Sequence, residues 1–530
     1  MEPARSRSER ASASGDAPET PIAPREPLYR RIRRTIEENI ALGRFDPHAP
    51  LPSTRGLAVE LGVSRNTVNT AYLELISEGF IVSRPRSGLF VNEEVVSHPG
   101  PKRQAPSAPP VHVNWRRRLR PEHDAGLPEV AKRSDWQRYP YPFIAGQVEA
   151  RSFPVLAWSR ALREALYEPH LHYSLRDGIA ADDPLLVDLL CDRILPARGI
   201  EVTPEHVMVT MGSQEGLQLL SRAVLGPTSV VAVEEPGYLD ARHVFMRSGA
   251  QLTALPVDGS GVVPPAHLHG VDLLYLTPSH QHPTNATLSI GRRHHLLALA
   301  DRDDVVIVED DYDSELRYQG SPSPALKGLD TSGRVVYLGT FSKFLAPGLR
   351  LGFVVGDPEL VSHLRAERRY SIRHPPGHLQ RAMALFIASG HYQRAVRRHR
   401  IALRRKWETT CRALERSIPV PVVTPPGGVS IWVEGPEHLD AVTLAASLDR
   451  LGVIIERGDI CYLHPAAHRN TFRLGFAAIR QEAIEPGIRM VGMAITDQLG
   501  RRRARQSAVA DEDGTVRAAT APRTEGQRSR

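Results

Sequence analysis

Lysine and cysteine are both scarce in this chain of 530 residues. Arginine supplies most of the 67 basic residues, and lysine stands only at positions 102, 132, 327, 343 and 406. The cysteines are Cys191, Cys411 and Cys461. Their spacing lacks the pairs that are typical of a metal site or a disulfide framework. No apolar run approaches the roughly 20 residues that span a bilayer. These absences predict a cytoplasmic protein with no metal centre and no membrane segment.

Polar segments without apolar periodicity lie at both ends of the chain and around residue 100. The N-terminal segment lacks the apolar stretch of a secretory signal, so we expect no such signal. The middle segment, 97-SHPGPKRQAPSAPPVH-112, has the Pro-rich composition of a semi-extended linker. The expected organisation is a disordered tail over 1–24, a compact unit over 25–93, a Pro-rich basic linker over 94–136, a large body over 137–498 and a disordered tail over 499–530.

The compact N-terminal unit has the periodicity of three helices and a hairpin. Apolar side chains recur every fourth residue from Leu28 to Ile40, and Gly43 ends that pattern. Segments 51–62 and 64–79 begin near serines that can cap a helix, and both end at glycines. Two short β-type runs then flank an Arg-Pro-Arg-Ser-Gly turn. This order of elements predicts a winged helix-turn-helix.

Polar and basic side chains cluster where a winged helix-turn-helix contacts DNA. The third helix begins with polar residues, and such helices present that end to base edges in the major groove. Arginines of the second helix and of the wing stand where phosphates would lie. The candidate DNA contacts are Arg55, Ser64, Arg65, Asn66, Thr67, Arg84 and Arg86. A small helical module that binds another protein is the alternative, because a net charge of +7 permits nucleic-acid binding without establishing it.

The segment 51-LPSTRGLAVELGVSRNTVNTAYLELISEGFIVSRPRSGLFV-91 resembles the hallmark sequence of the GntR family of bacterial repressors. The match runs almost without interruption. This resemblance implies a domain that binds operator DNA, and it favours DNA over a protein partner for this unit.

The large body alternates apolar, strand-like runs with segments of helical length. Runs that are apolar on both faces are typical of a mainly parallel sheet covered by helices on both sides. In such sheets the ligand lies beyond the carboxyl ends of the strands. The runs are 206–210, 229–234, 272–277, 305–310, 335–340 and 351–356. We therefore expect functional residues directly after them.

Three of these strand ends carry chemically useful groups. Gly212 and Ser213 open a helix, whose N-terminal N–H groups can hold a phosphate together with a hydroxyl. Asp310 ends a buried run, where a carboxylate needs a cation or a proton donor such as a protonated pyridine nitrogen. Lys343 follows the next run and, unlike an arginine, can form a Schiff base. Each group has an ordinary alternative: a plain helix start at Gly212, a solvated acidic loop at Asp310 and a surface lysine at Lys343. Together, however, the three groups match what pyridoxal phosphate (PLP) requires.

The body resembles the fold-type I aminotransferases, which are PLP-dependent enzymes with such a sheet and a smaller C-terminal α+β subdomain. The resemblance implies that Lys343 is the Schiff-base lysine, that Asp310 contacts the ring nitrogen and that Tyr312 donates to the ring hydroxyl oxygen. The phosphate site that it implies consists of Gly212, Ser213, Thr340 and Arg350. Tyr238 matches the aromatic residue against the ring, although it could be an ordinary core tyrosine. Arg473 matches the arginine that grips a substrate carboxylate.

A GntR-type winged helix joined to an aminotransferase-like body is the architecture of the MocR subfamily of regulators. The segment 389-SGHYQRAVRRHR-400 resembles a helix of that subfamily, although a basic solvated helix would look similar. The resemblance implies a transcriptional regulator, rather than an enzyme, that senses PLP or an amino compound forming an external aldimine with it. It also implies a homodimer on operator DNA with two half-sites. The alternatives are an active aminotransferase with an auxiliary DNA-binding domain and a repressor whose body has lost its cofactor.

Three places depart from the subfamily pattern. His282 and Asn285, in 279-SHQHPTNA-286, replace an aromatic residue and a glycine; the histidine can titrate near neutral pH or serve as a packed ring. In the segment 173-YSLRDGIAADDPLLVD-188, the glycine that usually follows Asp-Pro in the loop over the substrate is missing, and so is the arginine that ends that motif. Asp240 stands where the subfamily's sensor of γ-aminobutyrate has an arginine. A second carboxylate clamp is therefore missing, and γ-aminobutyrate is not the expected effector.

Overall fold

The computed structural model describes residues 27–85, 87–97, 113–118, 128, 133–313, 315–320, 323–341, 343 and 345–519. The predicted N-terminal tail, most of the predicted linker and the wing residue Arg86 lie outside the described residues. The chain divides into two compact units, Met1–Arg120 and Pro121–Arg530.

The N-terminal unit contains three helices followed by a β-hairpin. The helices are α1 (Leu28–Ala41), α2 (Thr54–Leu61) and α3 (Arg65–Ser77), and the antiparallel strands are β1 (Ile81–Arg84) and β2 (Gly88–Val91). Two short helices follow, which are α4 (Glu93–Ser97) and α5 (Trp115–Arg118). The winged helix-turn-helix is confirmed.

Side chains that cap α2 and α3 determine where these helices begin. The Ser53 hydroxyl accepts from the Gly56 N–H at 3.0 Å, and the Ser64 hydroxyl accepts from the Thr67 N–H at 3.1 Å. Each hydroxyl pairs one of the backbone donors that a helix start leaves open. Gly62 adopts a φ of 64°, the left-handed conformation that ends α2.

Apolar side chains of all three helices and of the hairpin form the core of this unit. The buried stripe of α1 starts one turn later than predicted, because Leu28 is the first residue of the helix and is 46% exposed. The buried residues of α1 and α3 are Ile32, Ile36, Ile40, Val68, Ala71, Tyr72 and Leu75.

The large body opens with a two-residue strand, β3 (Tyr141–Pro142), and its centre is an eight-stranded sheet. The strands of that sheet are β4 (Val207–Thr210), β5 (Val230–Glu235), β6 (Gln251–Asp258), β7 (Gly261–Val262), β8 (Leu273–Leu276), β9 (Val306–Asp311), β10 (Val335–Thr340) and β11 (Gly352–Val355). Their order across the sheet is β4-β11-β10-β9-β8-β5-β6-β7.

The sheet is mainly parallel, and all six predicted runs are strands of it. Strands β6, β5, β8, β9 and β10 form a parallel series, whereas β11 is antiparallel to both β10 and β4. The run 351–356 is thus the exception to the expected parallel pattern. The hairpin β6–β7 near the edge is absent from the prediction, because Pro256 argues against a strand in the middle of a sheet and is tolerated near an edge.

Helices cover both faces of the sheet. Tyr337 of β10 packs into a cluster with side chains of the helix that follows residue 376, while its neighbours Val336 and Leu338 pack against the helix that follows β4. The helices up to residue 388 are α6 (Val155–Glu164), α7 (Leu171–Leu175), α8 (Pro184–Leu189), α9 (Ser213–Val224), α10 (Leu239–Arg247), α11 (Ile290–Asp303), α12 (Leu326–Leu329), α13 (Pro358–Ser371) and α14 (Gly377–Ala388).

A smaller α+β subdomain completes the body, as predicted. Its elements are α15 (His391–Ser417), β12 (Ser430–Glu434), α16 (Ala441–Asp449), β13 (Val453–Ile454), β14 (Glu456–Arg457), β15 (Thr471–Gly475) and α17 (Gln481–Ala519). The strands β12, β15 and β14 form an antiparallel sheet in that order, and β13 pairs with β3.

Two predicted boundaries change in the structure. Helix α17 continues to Ala519, so the described part of the predicted C-terminal tail is helical rather than disordered. Arginine and alanine favour helices, and extending an existing helix avoids the cost of nucleation. The predicted linker ends too late, because the Arg133 guanidinium donates to the Asp449 carboxylate of α16.

Candidate functional site

Three strand ends meet at one edge of the central sheet. Asp310 of β9 lies opposite Leu338 of β10, Thr340 pairs with Gly352 of β11, and Gly352 pairs with Thr210 of β4. This register brings the residues that follow β4, β9 and β10 into one neighbourhood.

Asp310 is a buried carboxyl group with one oxygen left open. The Tyr275 hydroxyl donates to its Oδ2 at 2.8 Å. Its Oδ1 has no hydrogen-bond partner among the described residues. Burial raises the pKa of Asp310 to about 6, although the Tyr275 hydrogen bond and the charge of Lys343 act in the opposite direction. The open oxygen fits a donor on a ligand, such as the N–H of a protonated pyridine ring.

The first turn of α9 and the Arg350 side chain form an anion cradle. Gly212 precedes α9 with a φ of 83°, a conformation that favours glycine, and a Cβ there would lie 3.2 Å from the Arg350 guanidinium. The Arg350 Nη2 donates to the Met211 carbonyl oxygen at 2.9 Å, which holds the cation beside the helix start. Ser213 is the first residue of α9, and Thr340 ends β10 two strands away. Backbone donors, hydroxyls and a guanidinium in this arrangement suit a phosphate.

Lys343 and two tyrosines surround the space next to Asp310. The Lys343 Nζ lies 5.5 Å from the centre of the Tyr312 ring. The Tyr238 hydroxyl donates to Asp240 at 3.0 Å and lies 3.3 Å from the Gln214 amide oxygen. Burial raises the pKa of both Tyr238 and Tyr312 well above the usual value, so both keep their protons near neutral pH and can donate.

Arg473 is already engaged by two side chains. Its Nε and Nη2 donate to the Glu456 Oε2 at 2.9 and 2.7 Å, and its Nη1 donates to the His282 Nε2 at 2.8 Å. The His282 ring also lies 5.1 Å from the Tyr238 ring. A ligand carboxylate would therefore join an existing hydrogen-bond network rather than an isolated arginine.

Two of the unusual residues have a structural explanation. Asn285 adopts a φ of 59°, a left-handed conformation that asparagine tolerates better than other non-glycine residues. Its amide also donates to the Ser430 carbonyl oxygen at 2.7 Å, which ties this loop to β12. Asp240 accepts a hydrogen bond from the Tyr238 hydroxyl. The residue that stands in place of a second carboxylate clamp therefore orients Tyr238 instead.

Tyr275 and Glu456 are the site residues that the sequence-based prediction lacks. A hydroxyl inside the apolar run 272–277 is a signal that could have indicated Tyr275, since a buried hydroxyl needs a partner. Glu456 lies in a two-residue strand, and its pairing with Arg473 depends on a register that no periodicity reveals.

The predicted DNA contacts fall into three groups. Arg55, Arg65 and Asn66 are exposed in the first turns of α2 and α3. Ser64 and Thr67 bond to each other at the start of α3, with 2.7 Å between their hydroxyl oxygens. Arg84 donates to Glu93 at 2.9 Å and lies over the Phe90 ring, so this wing residue is held within its own unit.

Comparisons with known proteins match both halves of the chain. The family described as aminotransferase class I and II matches residues 167–491, and that described as bacterial regulatory proteins, gntR family, matches residues 28–91. The chain is 40% identical to the HTH-type transcriptional regulator TauR of Rhodobacter capsulatus, over 88% of this chain and 96% of TauR. It is 34% identical to the probable rhizopine catabolism regulatory protein MocR of Rhizobium meliloti, over 71% of this chain and 74% of that protein. The chain belongs to the MocR subfamily of GntR-type transcriptional regulators.

Solved structures similar to the body of this MocR-type regulator are aminotransferases. The kynurenine aminotransferase of Pyrococcus horikoshii shares 28% identity, with a TM-score of 0.66 over 73% of this chain and 98% of that one. LysN, an α-aminoadipate aminotransferase of Thermus thermophilus, shares 27% identity, with a TM-score of 0.65 over 73% of this chain and all of that one. The fold-type I architecture is therefore confirmed, and it implies PLP as the cofactor.

No helix in the described part of the regulator is long and apolar enough to cross a membrane. The same residues contain no group of three or more His, Cys, Asp or Glu side chains that could hold a metal ion.

Proposed function

We propose that this MocR-type regulator holds PLP on Lys343 in the cytoplasm and that the state of this site controls how it binds operator DNA. The observation that carries the proposal is the open Oδ1 of buried Asp310. An uncompensated buried carboxylate is costly, and a protonated ring nitrogen would compensate it. An amine and an anion cradle lie at the same edge of the sheet, in a chain whose other unit is a DNA-binding domain.

Each residue of the site has a defined task toward the cofactor. When bound, PLP supplies a carbonyl carbon that condenses with amines and a ring that withdraws electrons. Lys343 supplies the amine, Asp310 accepts from the ring nitrogen, and Tyr312 donates to the ring hydroxyl oxygen. Tyr238 lies against the ring. The phosphate is held by Gly212, Ser213, Thr340 and Arg350.

Two signals can act at this site. PLP itself is one, because its binding compensates Asp310 and fills the anion cradle. The other is an amino compound that competes with Lys343 for the carbonyl carbon, with its acid group at Arg473. Either signal must favour one conformation of the body over another, since a ligand that binds both equally shifts nothing.

DNA recognition is assigned to α3 and its neighbours. A homodimer would place two copies of α3 on two half-sites of an operator. Arg65 and Asn66 would contact base edges, and Arg55 would contact a phosphate. Ser64 and Thr67 contribute indirectly, because their hydroxyls hold the first turn of α3.

The cofactor assignment is tested by reducing the PLP-loaded protein with borohydride and identifying the labelled peptide by mass spectrometry. We expect the label on Lys343 and none in Lys343→Ala. Lys327→Ala is the matched control, since Lys327 lies in the same body but pairs with Asp330; it should keep the label. A label on another lysine, or none in wild type, would contradict the proposal. Sustained turnover of amino and keto acids would instead favour the aminotransferase alternative.

A further inference from the structure

A groove of about 640 Å³ runs between α9 and α10 on the surface of the body. The two helices contact each other along it, where the Ser221 hydroxyl of α9 donates to the Val244 carbonyl oxygen of α10 at 3.4 Å. The polar and charged residues that matter in this groove are Gln214, Arg222, Asp240, His243 and Arg247.

One end of the groove reaches the candidate cofactor site. Gln214 and Asp240 stand in the first turns of α9 and α10, and they lie 3.3 and 3.0 Å from the Tyr238 hydroxyl. The same first turn of α9 belongs to the anion cradle, since Ser213 opens that helix. A segment that binds in the groove would therefore contact two helices that help to build the site.

The other end of the groove is basic. Arg222 and Arg247 lie in the last turns of α9 and α10, and both residues are exposed. Arg222 forms one ion pair, at 3.3 Å with Glu367 of α13. No ion pair within the described part of the chain involves Arg247. This end of the groove is thus suited to an acidic partner.

The stretch of linker that leads to this groove is acidic. The His243 Nε2 donates to the Pro128 carbonyl oxygen at 3.0 Å, so the chain passes the middle of the groove at Pro128. The preceding segment, 121-PEHDAGL-127, lies outside the described residues. It contains Glu122 and Asp124 but no lysine or arginine, whereas the run 116-RRRLR-120 before it is strongly basic.

The chain upstream of Pro128 is long enough to reach the basic end. Asp124 and Glu122 precede Pro128 by four and six residues, which an extended chain converts to roughly 13 and 20 Å. Arg247 follows His243 by four residues on α10, which is about 6 Å along the helix. The carboxylates can therefore reach the arginines, and the charge of Asp240 disfavours them at the opposite end.

We propose that the linker segment 121–127 docks in the groove between α9 and α10. Its two carboxylates, Glu122 and Asp124, pair with the two arginines at the basic end. This contact attaches the chain that leads to the DNA-binding unit to two helices of the cofactor site. A shift of either helix when the site is filled would then alter DNA binding. That effect on DNA rests on the proposed function, whereas the docking itself does not.

The docking is tested in the full-length protein with a glutamyl endopeptidase, and cleavage after Glu122 is followed by mass spectrometry. A docked segment is protected, because the protease acts on the population in which the segment is released. Arg247→Glu and Asp124→Arg each reverse one charge and should raise the cleavage rate about fivefold, since exposed ion pairs are weak. Combining both substitutions restores opposite charges and should return the rate to within about twofold of wild type.

Arg160→Glu is the matched control, since Arg160 is an exposed arginine of α6 outside the groove. This variant should be cleaved at the wild-type rate. Unchanged cleavage in both single variants, or a double variant as sensitive as the single ones, would overturn the docking. The groove would then belong to another occupant, such as a second copy of the chain or a small acid.

Operator affinity with and without PLP tests what the docking does. Arg247→Glu should lose most of the PLP-dependent change in operator affinity, and the double variant should recover it. A full PLP response in Arg247→Glu would refute the role of the docked segment in coupling. If PLP changes nothing in wild type, the proposed function fails, while the cleavage pattern, measured without added PLP, still decides the docking.

Discussion

The surroundings of Asp310 disfavour the ionised form of its carboxyl group. Burial raises its pKa from the usual 3.8 to about 6. A carboxyl group with a raised folded-state pKa stabilises the fold fully below pH 3.8, and that contribution is lost as the pH rises through about 6. The ionised group therefore costs the cofactor-free protein roughly 3 kcal/mol at higher pH. A ring nitrogen that donates to Oδ1 would recover part of this free energy.

Replacing Asp310 by Asn should consequently stabilise the PLP-free protein. We expect a gain of up to roughly 3 kcal/mol near pH 8 and about half of it near pH 5, measured as the Tm of the body. Tyr275→Phe should have the opposite effect near pH 8, because it removes a donor to the ionised form. Addition of PLP should raise the Tm of wild type more than that of Asp310→Asn. A variant that gains no stability, or gains the same at both pH values, would contradict this account of Asp310.

Some residues of the candidate site could be predicted from the sequence, whereas their hydrogen-bond partners could not. Lys343 and Asp310 could be predicted as site residues because Asp310 ends one apolar run, Lys343 follows another, and each side chain is unlike its surroundings. The hydrogen bonds from Arg473 to Glu456 and His282 could not be predicted, since the first depends on the register of two short strands and the second joins residues 191 positions apart in the chain. The role of Arg473 stays a prediction, and its partners follow only from the packing of the subdomain against the sheet.

The start of helix α3 contains both a capping residue and a predicted DNA contact. Ser64 caps the helix, and its neighbour Arg65 is the predicted base contact. Loss of an N-cap costs about 1 kcal/mol, whereas loss of a bidentate base contact costs about 1–3 kcal/mol on the specific sequence alone. The two residues should therefore differ in how their loss affects specificity.

Arg65→Ala should weaken binding to operator DNA more than binding to random DNA. Ser64→Ala should weaken both to a similar degree, because it disturbs the helix rather than a base contact. Both variants are titrated with operator DNA, selected by the full-length protein from a random pool, and with unselected DNA at several salt concentrations. If Arg65→Ala loses the same affinity on both DNAs and lowers the salt dependence, Arg65 contacts only phosphate.

Elements differ in how far the sequence predicts them. The six apolar runs gave the main strands, because a strand buried on both faces is apolar throughout. Strand β6 is missing from the prediction since Pro256 breaks its pattern. Strand β14 is missing because two residues carry no periodicity, although it holds Glu456. Helix α17 extends beyond the predicted end of the body at residue 498. The composition of the following residues does not show that a helix precedes them and can be extended.

The regulator as a whole must connect a ligand site in one unit to DNA binding in the other. If an amino compound acts through Arg473, its effect on operator affinity requires that side chain. Arg473→Ala should therefore keep the cofactor absorbance but lose the effector-dependent change in operator affinity. The measurement is a titration of operator DNA at fixed salt, with and without an amino acid that binds wild type. A variant that responds as strongly as wild type would show that the acid group is recognised elsewhere.

The most direct test of the central claim is the affinity of the full-length protein for operator DNA with and without PLP, in wild type and in Lys343→Ala. Lys327→Ala serves as the control for loss of a lysine in the same body. We predict that PLP changes the operator affinity of wild type and of Lys327→Ala but not that of Lys343→Ala. Equal PLP dependence in all three proteins, or none in wild type, would contradict the claim that the site at Lys343 controls DNA binding.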